Sequence, residues 1–372
     1  MHILFINWRC PRNPLAGGAE IYLYEVCRRL VRRGHQITVL AEKYPGAASA
    51  DELEGIRIIR LGGKWTFNWT VYRRLPSILR EGAFDLVVDD LNKIPFYSPW
   101  LTDKPVLVLL MHLFRKSIFH EVPAPLAAYI YLAESLIPLA YRHCPFAVIS
   151  ESSRQDVIRL GIPPEQITVA PPGTDFERFR PLPDTKREPV ILHVGRLKKY
   201  KSTDHLLYAA QCLKQKGLHF RVVIVGDGDD RPRLEALARK LQITDRVLFT
   251  GFVSEAEKIS WYQRSAVLAE NSIKEGWGLI VMEANACGTP VVVARSPGLV
   301  DSSRDGVNGL FYEYGNINEL TAKLELVLTD ADLRQRLSRQ AVEWSHQWTW
   351  DGTADKINDL IERTVYGRQH TS

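Results

Sequence analysis

Pro189-Val190-Ile191-Leu192-His193-Val194-Gly195-Arg196 is an apolar run that ends on a glycine followed by a base. A run without polar alternation suits a strand buried on both faces, as in a parallel sheet. The pattern recurs downstream. Residues 221–225 end at Gly226 and 247–249 end just before Gly251, and 267–269 and 290–294 are further apolar runs. Upstream, residues 2–7 open the chain in the same way, and runs at 36–41, 56–61, 86–89, 106–111 and 147–150 follow. Helical segments fall between them. The first, 19–33, is entered through Gly17-Gly18 and stopped by Gly34. Strands alternating with helices predict an α/β protein of doubly wound sheets. The stretch 179–189 holds three prolines and several charges and reads as a linker. The expectation is therefore two Rossmann-like domains with a cleft between them, an N-terminal one over 1–182 and a C-terminal one over 188–350. Their ligand loops would lie at the carboxyl ends of the strands.

The composition agrees with this frame. A chain of 372 residues, 45% hydrophobic and 24% charged, fits two soluble domains. A net charge of +5 fits an anionic partner, and no basic tail points to nucleic acid. Five scattered cysteines with no C-x-x-C read as reduced thiols. The chain begins directly with a strand, so no signal peptide is expected. The most apolar stretch, 122–141, is interrupted by Pro123, Pro125, Glu134 and Pro138, which makes it a poor membrane span.

The chemistry concentrates in Lys274-Glu275-Gly276-Trp277-Gly278-Leu279-Ile280-Val281-Met282-Glu283-Ala284. A glycine turn running into a helix over 279–286 offers free backbone N–H groups to an anion such as phosphate. Glu275 and Glu283 are eight positions apart. An all-helical segment would put them on one side, one at the helix mouth and one deeper. An acid at each end of an anion cradle suits a ligand with hydroxyls at both ends and a diphosphate between.

Other candidates surround this pair. Arg196 and Lys201 follow a strand end and can grip phosphate oxygens. Gly17-Gly18-Ala19-Glu20 allows close approach of a ligand or is simply a turn. It is not G-x-G-x-x-G. His112 ends the run 106–111, where it would either face a ligand or serve the structure. Asp89-Asp90 close a strand with no further acid at metal-ligand spacing, so no metal site is expected. Gly226-Asp227-Gly228-Asp229-Asp230 shapes the entry to a helix over 233–241. Arg28, Arg29, Arg32 and Arg33 complement a helix dipole. They also form a basic patch that, with Arg115, Lys116 and the apolar segment, could dock on an anionic membrane.

Taken together, these motifs resemble the retaining glycosyltransferases of family four, which have the GT-B fold. The likeness covers nearly the whole chain. Its most specific part runs from Asn271 to Val292 and holds the family's E-x7-E pattern, Glu275 and Glu283. It is supported by Gly17-Gly18-Ala19-Glu20, Ala147-Val-Ile-Ser-Glu-Ser-Ser153, Ala170-Pro-Pro-Gly-Thr-Asp175, His193-Val-Gly-Arg-Leu197 with Lys201, Gly226-Asp-Gly228 and Asp305-Gly-Val-Asn-Gly-Leu310. The resemblance implies that Arg196, Lys201 and the backbone of Gly276, Trp277, Gly278 and Leu279 bind a donor diphosphate. Gly17 and Gly18 would approach it from the other domain. Glu283 would bind the ribose, Glu275 the sugar hydroxyls, and His112 the sugar beside the reacting carbon. A final helix within 353–372 would return to the first domain. Three places depart from the family's usual residues: Ser202 for glycine, Asn271 for proline, and 294–298 for a glycine-rich loop. They leave the sugar open.

The expected reaction moves a sugar from a UDP- or GDP-sugar to a hydroxyl of a glycan or lipid-linked acceptor, with retention and without a metal or other cofactor. The expected setting is cell-envelope or exopolysaccharide synthesis in the cytoplasm, at the inner membrane face. A nucleotide-sugar epimerase and a non-catalytic nucleotide-sugar binding module are the rival readings. A phosphorylase lacks its lysine motif here, and a dehydrogenase lacks its fingerprint.

Overall fold

The computed structural model describes residues 1–91, 94–120, 122–182 and 187–367. The chain divides into two compact units. The first is Met1–Gly173 with Trp350–Ser372, and the second is Thr174–Thr349.

The first unit is built on an eight-stranded sheet. Its strands in chain order are β1 (His2–Ile6), β2 (Gln36–Glu42), β3 (Ala50–Leu53), β4 (Ile56–Leu61), β5 (Leu86–Asp90), β6 (Val106–Leu110), β7 (Phe146–Val148) and β8 (Ile167–Val169). They lie in the order β3-β4-β2-β1-β5-β6-β7-β8. All neighbours are parallel except β3, which pairs antiparallel to β4. The purely parallel expectation misses this edge strand. Ala50-Asp51-Glu52-Leu53 is exposed on alternate residues and carries no apolar run. The short β8 also escaped the sequence reading.

The second unit has six parallel strands: β9 (Glu188–Val194), β10 (Arg221–Val225), β11 (Val247–Gly251), β12 (Ser265–Glu270), β13 (Val291–Ala294) and β14 (Gly309–Tyr312). Their order is β11-β10-β9-β12-β13-β14. Continuous burial from Val190 to Val194 and through all of β12 and β13 shows why these runs are apolar throughout. Each sheet reverses its winding once, between β1 and β5 and between β9 and β12. Such switch points open a crevice at the carboxyl ends of the strands.

The division between the units falls at Gly173–Thr174, ahead of the proline-rich stretch expected as the linker. Thr174 N–H bonds the Trp348 carbonyl at 3.1 Å, and Phe176 stacks on His346. Phe179 is buried in the second unit's core, edge-on to Tyr262. These apolar contacts commit 174–182 to the second unit. Residues 183–186 of the expected linker lie outside the described residues.

The helix Trp350–Tyr366 belongs to the first unit and packs on the helix Gly18–Arg32. Arg29 meets Asp351 at 2.7 Å, and Arg33 meets Asp355. Tyr22 packs edge-on to Trp350. Arg28 and Arg29 also hold Glu25. The expected basic patch is therefore largely a neutralised helix–helix seam. The segment 122–141 forms two helices, Ala124–Ser135 and Ile137–Tyr141. The window Ala124–Tyr141 has the length and hydropathy (1.2) of a span, yet one third of it is buried in the unit. Glu134 is part of that anchorage, since its carboxylate accepts the N–H groups of Phe114 and Arg115 at 2.7 Å each.

Candidate functional site

The second unit gathers its charges at the ends of β9 and β12. After β9 the chain turns at Gly195 and reaches Lys201 through the short 3-10 turn Lys199–Lys201. Gly226 ends β10 at φ +125°, and a Cβ there would sit 2.0 Å from the Gly195 carbonyl oxygen. Only glycine lets these two strand-end loops touch backbone to backbone. Ser202 follows Lys201 at φ +47°, in the left-handed region where glycine is favoured. Its hydroxyl meets the Tyr314 hydroxyl at 2.9 Å, which holds the turn without a glycine.

Lys201 is buried, with Nζ 2.7 Å from Glu275 Oε1 and 3.6 Å from Glu270 Oε1. Burial works against its charge. Glu270 and then Glu275 outweigh that and raise its pKa above the usual lysine value, so it is an ammonium ion. Glu270 is fully buried at the end of β12. Its Oε1 accepts from Ser272 Oγ, and its Oε2 has no hydrogen-bond partner among the described residues. His193, at the end of β9, is fully buried and its pKa is lowered by that burial. Its Nδ1 lies 3.1 Å from the Ala269 carbonyl and its Nε2 3.2 Å from Thr203 Oγ1. Arg196 is exposed and takes part in no ion pair among the described residues.

The turn 271–278 then crosses the end of the sheet. Tyr312 donates to Asn271 Oδ1 at 2.8 Å, so the asparagine that replaces proline is held by a side-chain bond. Ser296 Oγ donates to the Ser272 carbonyl at 2.7 Å, and Glu275 N–H donates to the Pro297 carbonyl at 2.9 Å. Gly278 is the N-cap of the helix Leu279–Ala286, at φ +107°, with no side-chain cap. A Cβ there would lie 2.7 Å from Ser302 Oγ. Val281 N–H already bonds the Gly278 carbonyl at 3.0 Å, so among the described residues it is the N–H groups of Leu279 and Ile280 that have no acceptor and can donate to an anion. Trp277 is buried edge-on to Trp348, so its side chain anchors the turn.

One expectation fails here. The helix begins at Leu279, so Glu275 lies on the preceding loop and the two carboxylates do not share a helix face. Glycines 276 and 278 break the helical path between them. Glu275 pairs with Lys201, whereas Glu283 meets Lys258 at 3.0 Å and the Tyr262 hydroxyl at 2.9 Å. The sequence reading missed Glu270, Lys258 and Tyr262. A glutamate closing the apolar run of β12 was the available signal for the first. Glu255, Lys258 and Tyr262 at helical spacing were the signal for the others.

Gly226-Asp227-Gly228-Asp229-Asp230 is a closed turn. Lys198 pairs with Asp229 at 2.6 Å, and Arg231 with Asp227 at 3.1 Å.

In the first unit, Gly17 caps the helix Gly18–Arg32, and its N–H donates to Glu20 Oε2 at 2.6 Å. His112 follows β6, half-buried, with its ring 4.7 Å from that of Phe114. Asp89 accepts from Ser98 Oγ and the Tyr141 hydroxyl, both at 2.6 Å. Asp90 is fully buried, and among the described residues neither carboxyl oxygen has a hydrogen-bond partner. Burial, then Glu20 and Asp89, push its pKa well above the usual carboxylate range. Among the described residues, no group of three or more His, Cys, Asp or Glu side chains is placed to hold a metal ion.

Two family profiles match adjoining parts of the chain. Glycosyltransferase Family 4 matches residues 16–178, and Glycosyl transferases group 1 matches residues 175–344. The chain is a glycosyltransferase of the GT-B fold. This glycosyltransferase is 29% identical over 397 residues to the D-inositol 3-phosphate glycosyltransferase of Xylanimonas cellulosilytica, with 95% of this chain and 93% of that protein covered. The enzyme of the same name from Streptomyces bingchenggensis is 27% identical, with 95% and 86% covered. Among solved structures, its fold is similar to that of sucrose-phosphate synthase from Thermosynechococcus elongatus (TM-score 0.84, 20% identity, 98% and 99% covered). It is also similar to Anabaena Alr3699/HepE in complex with UDP-glucose (TM-score 0.77, 20% identity, 97% and 99% covered).

Proposed function

We propose that this glycosyltransferase transfers a sugar from a UDP- or GDP-sugar to a hydroxyl of a glycan or lipid-linked acceptor, with retention of configuration and without a metal. One observation carries the donor reading. A buried ammonium, Lys201, stands at the β9/β12 switch point, within the same unit as an uncapped helix N-terminus at Gly278 and an unpaired base, Arg196. As the sugar–phosphate bond breaks, charge grows on the leaving diphosphate, and preorganised donors stabilise it. In this reading Arg196, Lys201 and the backbone from Gly276 to Leu279 bind the diphosphate. Glu275 binds sugar hydroxyls and Glu283 the ribose. Gly17, Gly18 and His112 of the first unit serve the sugar and acceptor. HepE, with UDP-glucose bound in a related fold, supports a nucleotide-sugar donor. Same-face attack, with the leaving phosphate taking the acceptor proton, accounts for retention without a carboxylate nucleophile.

We place the enzyme in cell-envelope or exopolysaccharide synthesis, on the cytoplasmic face of the membrane. The support is an exposed apolar surface on the first unit. Leu132 and Leu139 are 64% and 67% exposed. Trp65, Trp69 and Tyr72, at i, i+4 and i+7, face away from the buried Phe67, Val71 and Leu75. Lys64, Arg73 and Arg74 flank this stripe. Aromatic and basic residues together suit an anionic interface.

A thermal-shift screen against nucleotide sugars tests the donor, because the right one stabilises by mass action. No shift with any UDP- or GDP-sugar would overturn the reading. Transfer that persists in excess chelator supports the metal-free route, and loss restored by Mg²⁺ or Mn²⁺ would overturn it.

A further inference from the structure

Glu283 is held from one side. Among the described residues, every side-chain hydrogen bond it makes falls on Oε2: Lys258 Nζ at 3.0 Å and the Tyr262 hydroxyl at 2.9 Å. A carboxylate oxygen has two lone pairs, and two donors occupy both. Oε1 is left to whatever enters the site.

The two donors come from one helix, Glu255–Arg264, which places Glu255, Lys258 and Tyr262 on one side at i, i+3 and i+7. They are themselves fixed. Lys258 also pairs with Glu255 at 3.0 Å and lies 5.3 Å above the Phe179 ring. Arg178 holds Glu255 from the other side at 3.1 Å. Tyr262 is fully buried, edge-on to Phe179. Arg178 also pairs with Asp175 at 4.0 Å, so Arg178 and Lys258 link Asp175, Glu255 and Glu283 in one chain of ion pairs. Burial and Glu283 both raise the Tyr262 pKa, which keeps the phenol a proton donor.

We propose that Lys258 and Tyr262 are positioning residues that lock Glu283 Oε2, so that Oε1 is presented to a ribose hydroxyl of the nucleoside diphosphate. This rests on the assignment of Glu283 to the ribose. A carboxylate free to rotate about its last torsion loses rotamer freedom when the ligand binds. A clamped one has already lost it. The clamp therefore acts on the nucleoside half of the donor and not on the diphosphate half.

The experiment compares UDP and GDP with inorganic pyrophosphate, by calorimetry on the full chain and on Tyr262→Phe, Lys258→Met and Glu283→Gln. Tyr262→Phe and Lys258→Met are expected to weaken nucleoside diphosphate binding about 5- to 10-fold, the scale of one lost hydrogen bond. Pyrophosphate binding stays unchanged. In turnover, the donor KM rises while kcat holds, and Lys258→Arg recovers most of the loss. Unchanged nucleoside diphosphate affinity in both variants overturns the clamp. So does an equal loss for pyrophosphate, which would mean that Lys258 reaches the phosphates or that the fold has loosened. Glu283→Gln separates the two levels of the argument. If it leaves UDP and GDP binding intact, the ribose assignment itself falls. If it weakens binding and the helix variants do not, only the clamp falls.

Discussion

The two switch points share a topology and differ in charge. At β9/β12 every buried ion has a counter-ion: Lys201 lies between Glu270 and Glu275. At β1/β5 the buried acids have no cation among the described residues. Asp89 Oδ2 accepts from two hydroxyls, and among the described residues its Oδ1 and both oxygens of Asp90 have no hydrogen-bond partner, with Asp90 driven toward its neutral form. The winding builds a crevice in each unit, and the side chains at the strand ends decide what it can hold. One end is equipped for an anion with growing charge. The other is nearly neutral and belongs to a unit with an exposed aromatic face.

The largest test of this contrast removes Arg196. It is exposed and outside every described ion pair, so Arg196→Ala is expected to lower transfer roughly 100- to 1000-fold with the melting temperature unchanged. Full activity would remove the donor-site reading. Lys201→Ala is expected to lose as much activity and to unfold at lower temperature as well, because the buried Glu270 and the half-buried Glu275 lose their cation. Calorimetry distinguishes the two variants.

Gly226→Ala probes the scaffold beneath the same site. A Cβ pressed against the Gly195 carbonyl at positive φ is expected to cost about 2–4 kcal/mol in chemical denaturation. A change below about 0.5 kcal/mol would mean that the loops can separate freely.

Two smaller effects belong to the first unit. Trp65→Ser with Trp69→Ser is expected to cut sedimentation with anionic vesicles about tenfold, while soluble turnover is untouched. Equal sedimentation by wild type and variant would remove the aromatic stripe from the membrane reading.

Asp90→Asn is the mildest change. Asp90 has a raised pKa in the folded state, so its contribution to stability is complete below pH 3.8. It declines as pH rises toward the folded value. The asparagine does not ionise. Its advantage over wild type is expected to be absent near pH 3.5 and to grow as the pH is raised to 8. A constant difference across that range would mean that Asp90 is charged in the fold.

Much of this was legible before any coordinates. The runs at β9, β10 and β13 announce buried parallel strands because neither face meets water. The uncapped turn at Gly276–Gly278 and the bases after β9 mark the anion end. What stayed hidden depends on distant partners. A glutamate closing β12 reads as a surface residue until Lys201 is found beside it. The helix over 279–286 stands where the sequence put it, but the glycines at 276 and 278 keep Glu275 on the loop before it, so the alignment an all-helical segment would give does not arise. Arg29 and Arg33 read as part of a basic patch because two of their acids, Asp351 and Asp355, come from the far end of the sequence. β3 has no hydrophobic signal, since an edge strand is specified by its backbone pairing.

That distant helix has a consequence for the order of assembly. The second unit is inserted within the first, between Gly173 and Trp350. On the ribosome, domains fold as units in the order they emerge. The inserted unit can therefore close while the one that began earlier still waits for its last helix. Until Trp350–Tyr366 emerges, Arg33 has no acid to meet and the groove over Tyr22 stays open. The N-terminal unit is the first to start and the last to finish.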